Sequence, residues 1–295
     1  MLSLSTKSGV LLRNIVVATD FSAASESALN HAVAIAQHYG SKIVLVHALE
    51  AASPSQPGQQ GELREQQLQI FAEQKLSAEA AKCHEVECER RLLTGSALEV
   101  VEQLLALDHI DLIVVGTHGA TGFRKLMAGS VADRIFHHVR CPVLVIGPSV
   151  SQGRAHWNPK RILLATDLQS DEWRAVEYAT AFATEHNARV ALLHVTPPAG
   201  PPYPQDSEAV IAPYFQSRLK ELVSYRPAGD YPAEAWVEFH DDPVSGIIGV
   251  AQREAIDLLI LSVHPKEPWT SHFSHNAHRI VAQAPCPALI VQREL

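Results

Sequence analysis

Residues 14–47 read NIVVATDFSAASESALNHAVAIAQHYGSKIVLVH. The stretch opens on an apolar, β-branched run, Asn14 to Ala18. It continues with Ala28, Ala32, Ile35 and Ala36 at helical spacing, and closes on a second apolar run, Lys42 to His47. That is a strand, a helix and a strand. Ser22 is placed to cap the helix and Gly40 to end it. Neither strand alternates polar with apolar residues, so each is predicted to be covered on both faces, as in a parallel sheet.

The same logic extends outward. Residues 51–61 are rich in Ser, Pro, Gln and Gly and read as a loop. A helix is expected from about Glu62 to Ala81, a strand from about Val86 to Leu92, and a helix from Leu98 to Leu107. A strand from Leu112, a helix from Val131 to Val139 and a last strand from Val143 to Ile146 complete the series. Five strands joined by right-handed crossover helices make a doubly wound α/β layer.

The chain then repeats itself. Ile15 to His47 aligns without gaps to Ile162 to His194, and ten of the 33 positions are identical. These include Ala18-Thr19-Asp20 against Ala165-Thr166-Asp167. Arg134-Ile135 corresponds to Arg279-Ile280, and Cys141-Pro142 to Cys286-Pro287. Two copies of one domain are therefore expected in tandem, over residues 1–150 and 158–295. The seam lies near Ser149 to Pro159.

Composition bounds the function. The net charge of −8 over 295 residues, with no basic stripe, argues against nucleic acid as the main partner. No apolar run approaches the roughly 20 residues that span a bilayer, so no membrane partner is expected. Four cysteines do not make a disulfide framework, and the N-terminus lacks a signal-peptide pattern. A cytoplasmic location follows as the expectation.

The chemistry-bearing motif is GTHGATGFRKLMAGSV, residues 116–131. Gly116, Gly119, Gly129 and Ser130 fall in the pattern G-x2-G-x9-G-S, between a predicted strand end and a predicted helix start. Glycines there let backbone N–H groups approach a ligand, and a helix start favours phosphate. Asp20 and His47 fall at other predicted strand ends, on the same rim, where open α/β sheets bind ligands. An Asp after a strand also serves as a turn or cap residue. His118 reads equally as a phosphate contact or a solvated side chain, and Gly122 equally as part of the ligand loop or as a flexible loop residue only.

The ATD after the first strand, DLIVVGTHGATG, GSVADRI and CPVLVIG together resemble the universal stress protein family. The resemblance covers nearly the whole chain as two tandem copies, and the binding signature is confined to the first. It implies sheet order 3-2-1-4-5 and ATP at the rim. Ala18 and Thr19 would border the nucleotide, and Asp20 would lie near ribose, phosphate or a bound divalent ion. Val46 would meet adenine through its backbone. Gly116, His118 and Gly119 would form the first turn of the loop, and Gly129, Ser130 and Val131 would face the phosphates. Magnesium could assist, although no all-protein metal cage is visible. The resemblance also implies that the two copies pair through their fifth strands; a homodimer and an unidentified protein partner are left open.

The second copy lacks the cradle. Ser262 stands at the position of Gly116, Pro265 at that of Gly119, and Ser274-His275 at that of Gly129-Ser130. It is expected not to bind ATP in the same way and to be structural or regulatory. His264, His272, His275 and His278 read by default as solvated or packing residues, with a metal site as the alternative. Cys83, His84 and Cys88 carry a weaker metal reading. Cys141 and Cys286 read as small buried hydrophobes. No aligned base for catalysis is evident, nor a GxxxxGK[ST] loop. A binding module is favoured over a slow ATP hydrolase or a ligand-free scaffold.

Overall fold

The computed structural model describes residues 10–49, 59–107, 109–117, 139, 141–150, 156–168, 172–199, 207–224, 232–263 and 272–293. The chain falls into two compact units, whose main bodies are Leu11–Pro148 and Asn158–Leu295.

In the first unit the strands are β1 (Asn14–Ala18), β2 (Lys42–Leu49), β3 (Cys88–Thr94), β4 (Leu112–Gly116) and β5 (Val143–Ile146). Parallel pairing of β3 with β2, β2 with β1, β1 with β4 and β4 with β5 gives the order 3-2-1-4-5. The second unit repeats it with β6 (Arg161–Ala165), β7 (Arg189–Thr196), β8 (Ala233–Phe239), β9 (Leu258–Val263) and β10 (Ala288–Gln292). There the order is 8-7-6-9-10, again all parallel.

Both faces of the central strands are buried. Ile15, Val17, Ile43, Leu45, Ile113 and Val114 are each 0% exposed. This is what the unbroken apolar runs require, each fully buried side chain contributing about 1.5–3 kcal/mol.

The described helices of the first unit are α1 (Ala23–Tyr39), α2 (Gln59–Ala80) and α3 (Ala97–Leu107). Those of the second are α4 (Trp173–His186), α5 (Ser207–Ser224), α6 (Pro243–Arg253) and α7 (His272–Gln283). Ser22 caps α1, its hydroxyl accepting from the Ser25 N–H, and Gly40 ends it at φ 67°. Asn187 ends α4 at φ 47°, the same left-handed stop supplied by the other residue that tolerates it.

The third strand begins two residues later than Val86. The Val86 N–H bonds to the Cys83 carbonyl at 3.0 Å, and the turn that this closes keeps Val86 out of the ladder.

The end of each sheet opposite the candidate site is tied in one way. Asp111 Oδ2 accepts the N–H groups of Arg13 and Asn14, and Asp257 Oδ2 those of Lys160 and Arg161. A carboxylate before the fourth strand thus clamps the start of the first, fixing which strand ends share a rim. Among the described residues, no helix is long and apolar enough to cross a membrane.

Candidate functional site

The rim of the first unit is built where β1 stops. Thr19 is buried, and its N–H bonds to the Val46 carbonyl at 2.9 Å. Its Oγ1 accepts the Phe21 N–H at 3.0 Å, while its hydroxyl donates to Glu79 Oε2 at 2.7 Å. The turn holds Phe21 at φ 62°, a left-handed conformation that non-glycine residues rarely adopt. Asp20 is exposed, and its Oδ1 accepts the Ser22 N–H at 3.1 Å. It therefore shapes the turn and presents its carboxylate to solvent. His47 extends past β1, and its Nδ1 lies 2.7 Å from the Thr19 carbonyl. A carbonyl only accepts, so Nδ1 carries the proton. The ring also packs 4.2 Å from that of Phe21.

Gly116 ends β4 between β1 and β5. A Cβ at this position would lie 2.0 Å from the Ala24 carbonyl oxygen and 2.8 Å from the Ser25 nitrogen. The glycine is required by packing, because the first turn of α1 lies directly on the strand end.

Ala18, Thr19, Asp20 and Gly116 thus share one end of the sheet. Val46 lies one step inside it, 1% exposed and paired to Ala18 on one side and Arg91 on the other. His118, Gly119, Gly122, Gly129, Ser130 and Val131 lie outside the described residues.

The second unit repeats the turn and changes what surrounds it. Thr166 accepts the Leu168 N–H at 2.9 Å, Leu168 has φ 60°, and His194 Nδ1 donates to the Thr166 carbonyl at 3.0 Å. The carboxylate receiving the threonine hydroxyl is now Glu172, from the start of α4. Arg293, just past β10, reaches into this corner. Its Nη2 lies 2.6 Å from Glu172 Oε1 and 2.7 Å from Asp167 Oδ1, and its Nε donates to Ser262 Oγ at 3.1 Å. The Arg293 and Glu172 side chains are both 0% exposed. Burial pushes the Glu172 carboxyl up to about 8, with Arg293 opposing and Asp167 adding to the shift. Two acids compete for one guanidinium in a dry corner, so a proton is held into the neutral range.

The universal stress protein family model matches residues 12–147 and again residues 158–292. This chain belongs to the universal stress protein family. A universal stress protein of Methanocaldococcus jannaschii is 29% identical over 140 residues, which is 46% of this chain and 82% of that protein. The crystal structure of a universal stress protein from Archaeoglobus fulgidus aligns over 95% of this chain and 98% of its own, with TM-score 0.64 and 16% identity. A functionally unknown protein of Pseudomonas aeruginosa aligns over 96% and 93%, with TM-score 0.57 and 14% identity. At such identities the two structures speak for the fold alone.

Within this universal stress protein, differences among the described residues separate the copies at the rim. Ser25, Gly116 and Pro148 of the first align with Glu172, Ser262 and Arg293 of the second. The side chain at Ser262 needs the room that α1 fills in the first copy, and α4 begins three residues later than α1 does on the repeat alignment. Glu79, Glu172 and Arg293 were not singled out by the sequence reading. The appearance of Glu and Arg at two repeat positions held by Ser and Pro was the available signal.

The remaining candidates resolve simply. Cys141 and Cys286 are buried, 8% and 5% exposed, and burial pushes the Cys286 thiol up to about 12. Cys83 is buried and Cys88 half-buried, and both are free thiols. His278 is 4% exposed on α7. His264 lies outside the described residues, as do the side chains of His272 and His275.

Proposed function

We propose that the chain is a stress-response protein that binds ATP in its first copy, while the second copy serves a structural or regulatory role. The observation that carries this reading is the unbroken G-x2-G-x9-G-S spacing, which begins at Gly116 on the C-terminal end of β4. Open α/β sheets hold ligands at that end, and glycine-rich loops before a helix hold phosphate. Asp20, exposed on the same rim, is suited to a ribose hydroxyl or to a hydrated Mg2+ beside the phosphates.

The repeat adds support. In the second copy a single cavity is lined by Ala165, Thr166, Asp167, Leu193 and Asn276. These align with Ala18, Thr19, Asp20, Val46 and Val131. The Val46 carbonyl already accepts the Thr19 N–H. The backbone of Ala48, two residues further along β2 and on the same edge, is the next past the end of β1, and we assign it a share of the adenine contact.

Calorimetry with ATP tests the reading. The intact chain is expected to bind one ATP, and Gly129→Val to weaken it at least tenfold, since a branched side chain would occupy the space of the phosphates. Unchanged affinity in that variant overturns the site. Mass spectrometry of ligand released from purified protein identifies the nucleotide. Fast turnover abolished by Asp20→Ala would replace binding by hydrolysis as the activity. From the cysteine usage we also propose a cytoplasmic protein, and on the resemblance alone copies that pair within the chain; small-angle scattering of a widely separated pair would refute the pairing.

A further inference from the structure

The second copy holds a cavity of about 160 Å3 at the C-terminal end of β6 and β7. Leu193, Val195, Ile247, Leu261 and Ile280 are among the apolar side chains that line it. The polar groups at the end of β6 are already engaged, and the Asn276 amide adds one polar group to the lining. The Thr166 hydroxyl is bonded to Glu172, His194 Nδ1 to the Thr166 carbonyl, and Asp167 to Arg293. Burial holds the His194 ring below its ordinary range and so favours the neutral form. Water in such a space would find few partners, and apolar cavities of roughly 150 Å3 admit a ring of benzene size.

The same corner disfavours phosphate. The Arg293 guanidinium is spent on Asp167, Glu172 and Ser262. With both acids ionised they outnumber it two to one. Pro265 removes an N–H from the segment that aligns with the glycine loop.

We propose that the second copy binds a small, uncharged, largely apolar molecule of one or two fused rings in this cavity. The ligand class differs from a nucleotide because the walls are largely apolar and the Arg293 guanidinium beside them is already paired. The proposal stands whether or not the first copy binds ATP.

Indole is a suitable probe. In the intact chain with labelled methyl groups, indole is expected to shift Leu193, Val195, Ile247 and Leu261 in a saturable manner. It should leave the methyls of the first copy unmoved. Ile247→Trp fills the cavity from α6 and should weaken indole at least tenfold. Ala277→Leu, from α7, should do the same and guards against a folding defect in the first variant. Absence of any saturable shift in the wild-type chain overturns the proposal, as do shifts scattered over the surface. Displacement of indole by AMP also overturns it, because the cavity would then be a nucleoside site.

Discussion

Gly116 shows how one missing side chain serves a site indirectly. Its Cβ would meet the Ala24 carbonyl at 2.0 Å, and backbone cannot swing aside as a flexible side chain can. Gly116→Ala is expected to destabilise the first unit by about 1–3 kcal/mol or more through overpacking. Urea denaturation will register this as a lower midpoint for one unit. Glu172 offers a test of a different kind. Its carboxyl is raised from an ordinary 4.5 to about 8, so the folded state binds the proton more tightly than the unfolded chain does. The associated stability is complete below about 4.5 and is lost as pH rises through about 8. Glu172→Gln should flatten that decline, worth on the order of 2 kcal/mol or more, when urea midpoints at about pH 5 and about pH 8 are compared.

At the scale of elements, the sequence disclosed strands more fully than their surroundings. Unbroken apolar runs fixed β1, β2, β4 and β5, since a strand buried on both faces leaves no other pattern. Ser22 and Gly40 announced both ends of α1 by their chemistry. The start of β3 was missed because Val86 belongs to an apolar run but has its N–H tied to Cys83. The rim was legible at Asp20 and Gly116, whose spacing is local. Arg293 was not, because its partners Asp167 and Glu172 lie 126 and 121 residues away. Removing that arginine is expected to destabilise the second unit. Arg293→Met takes the guanidinium from Glu172, which then stays protonated, and from the partly exposed Asp167, and should cost about 1–3 kcal/mol in unmet hydrogen bonds. The double variant Arg293→Met, Glu172→Leu should recover much of the loss, which thermal unfolding can measure.

For the whole molecule, two compact units with separate cores predict two unfolding transitions that respond to different substitutions. Gly116→Ala should move one and Arg293→Met the other, as resolved by calorimetry. Saturating ATP should raise only the transition that Gly116→Ala lowers, because a ligand stabilises the unit that holds it. The interlocked corner around Arg293 also bears on history. A duplicated gene begins with twin rims, and either twin is in principle free to revert toward the other. Here reversal one substitution at a time is obstructed. Ser262→Gly alone strips a partner from a buried guanidinium, Arg293→Pro alone strands two acids, and Glu172→Ser alone leaves the late-starting helix unchanged. Two of these steps unpair buried polar groups and the third gains nothing by itself, so the divergence between the halves would work as a ratchet.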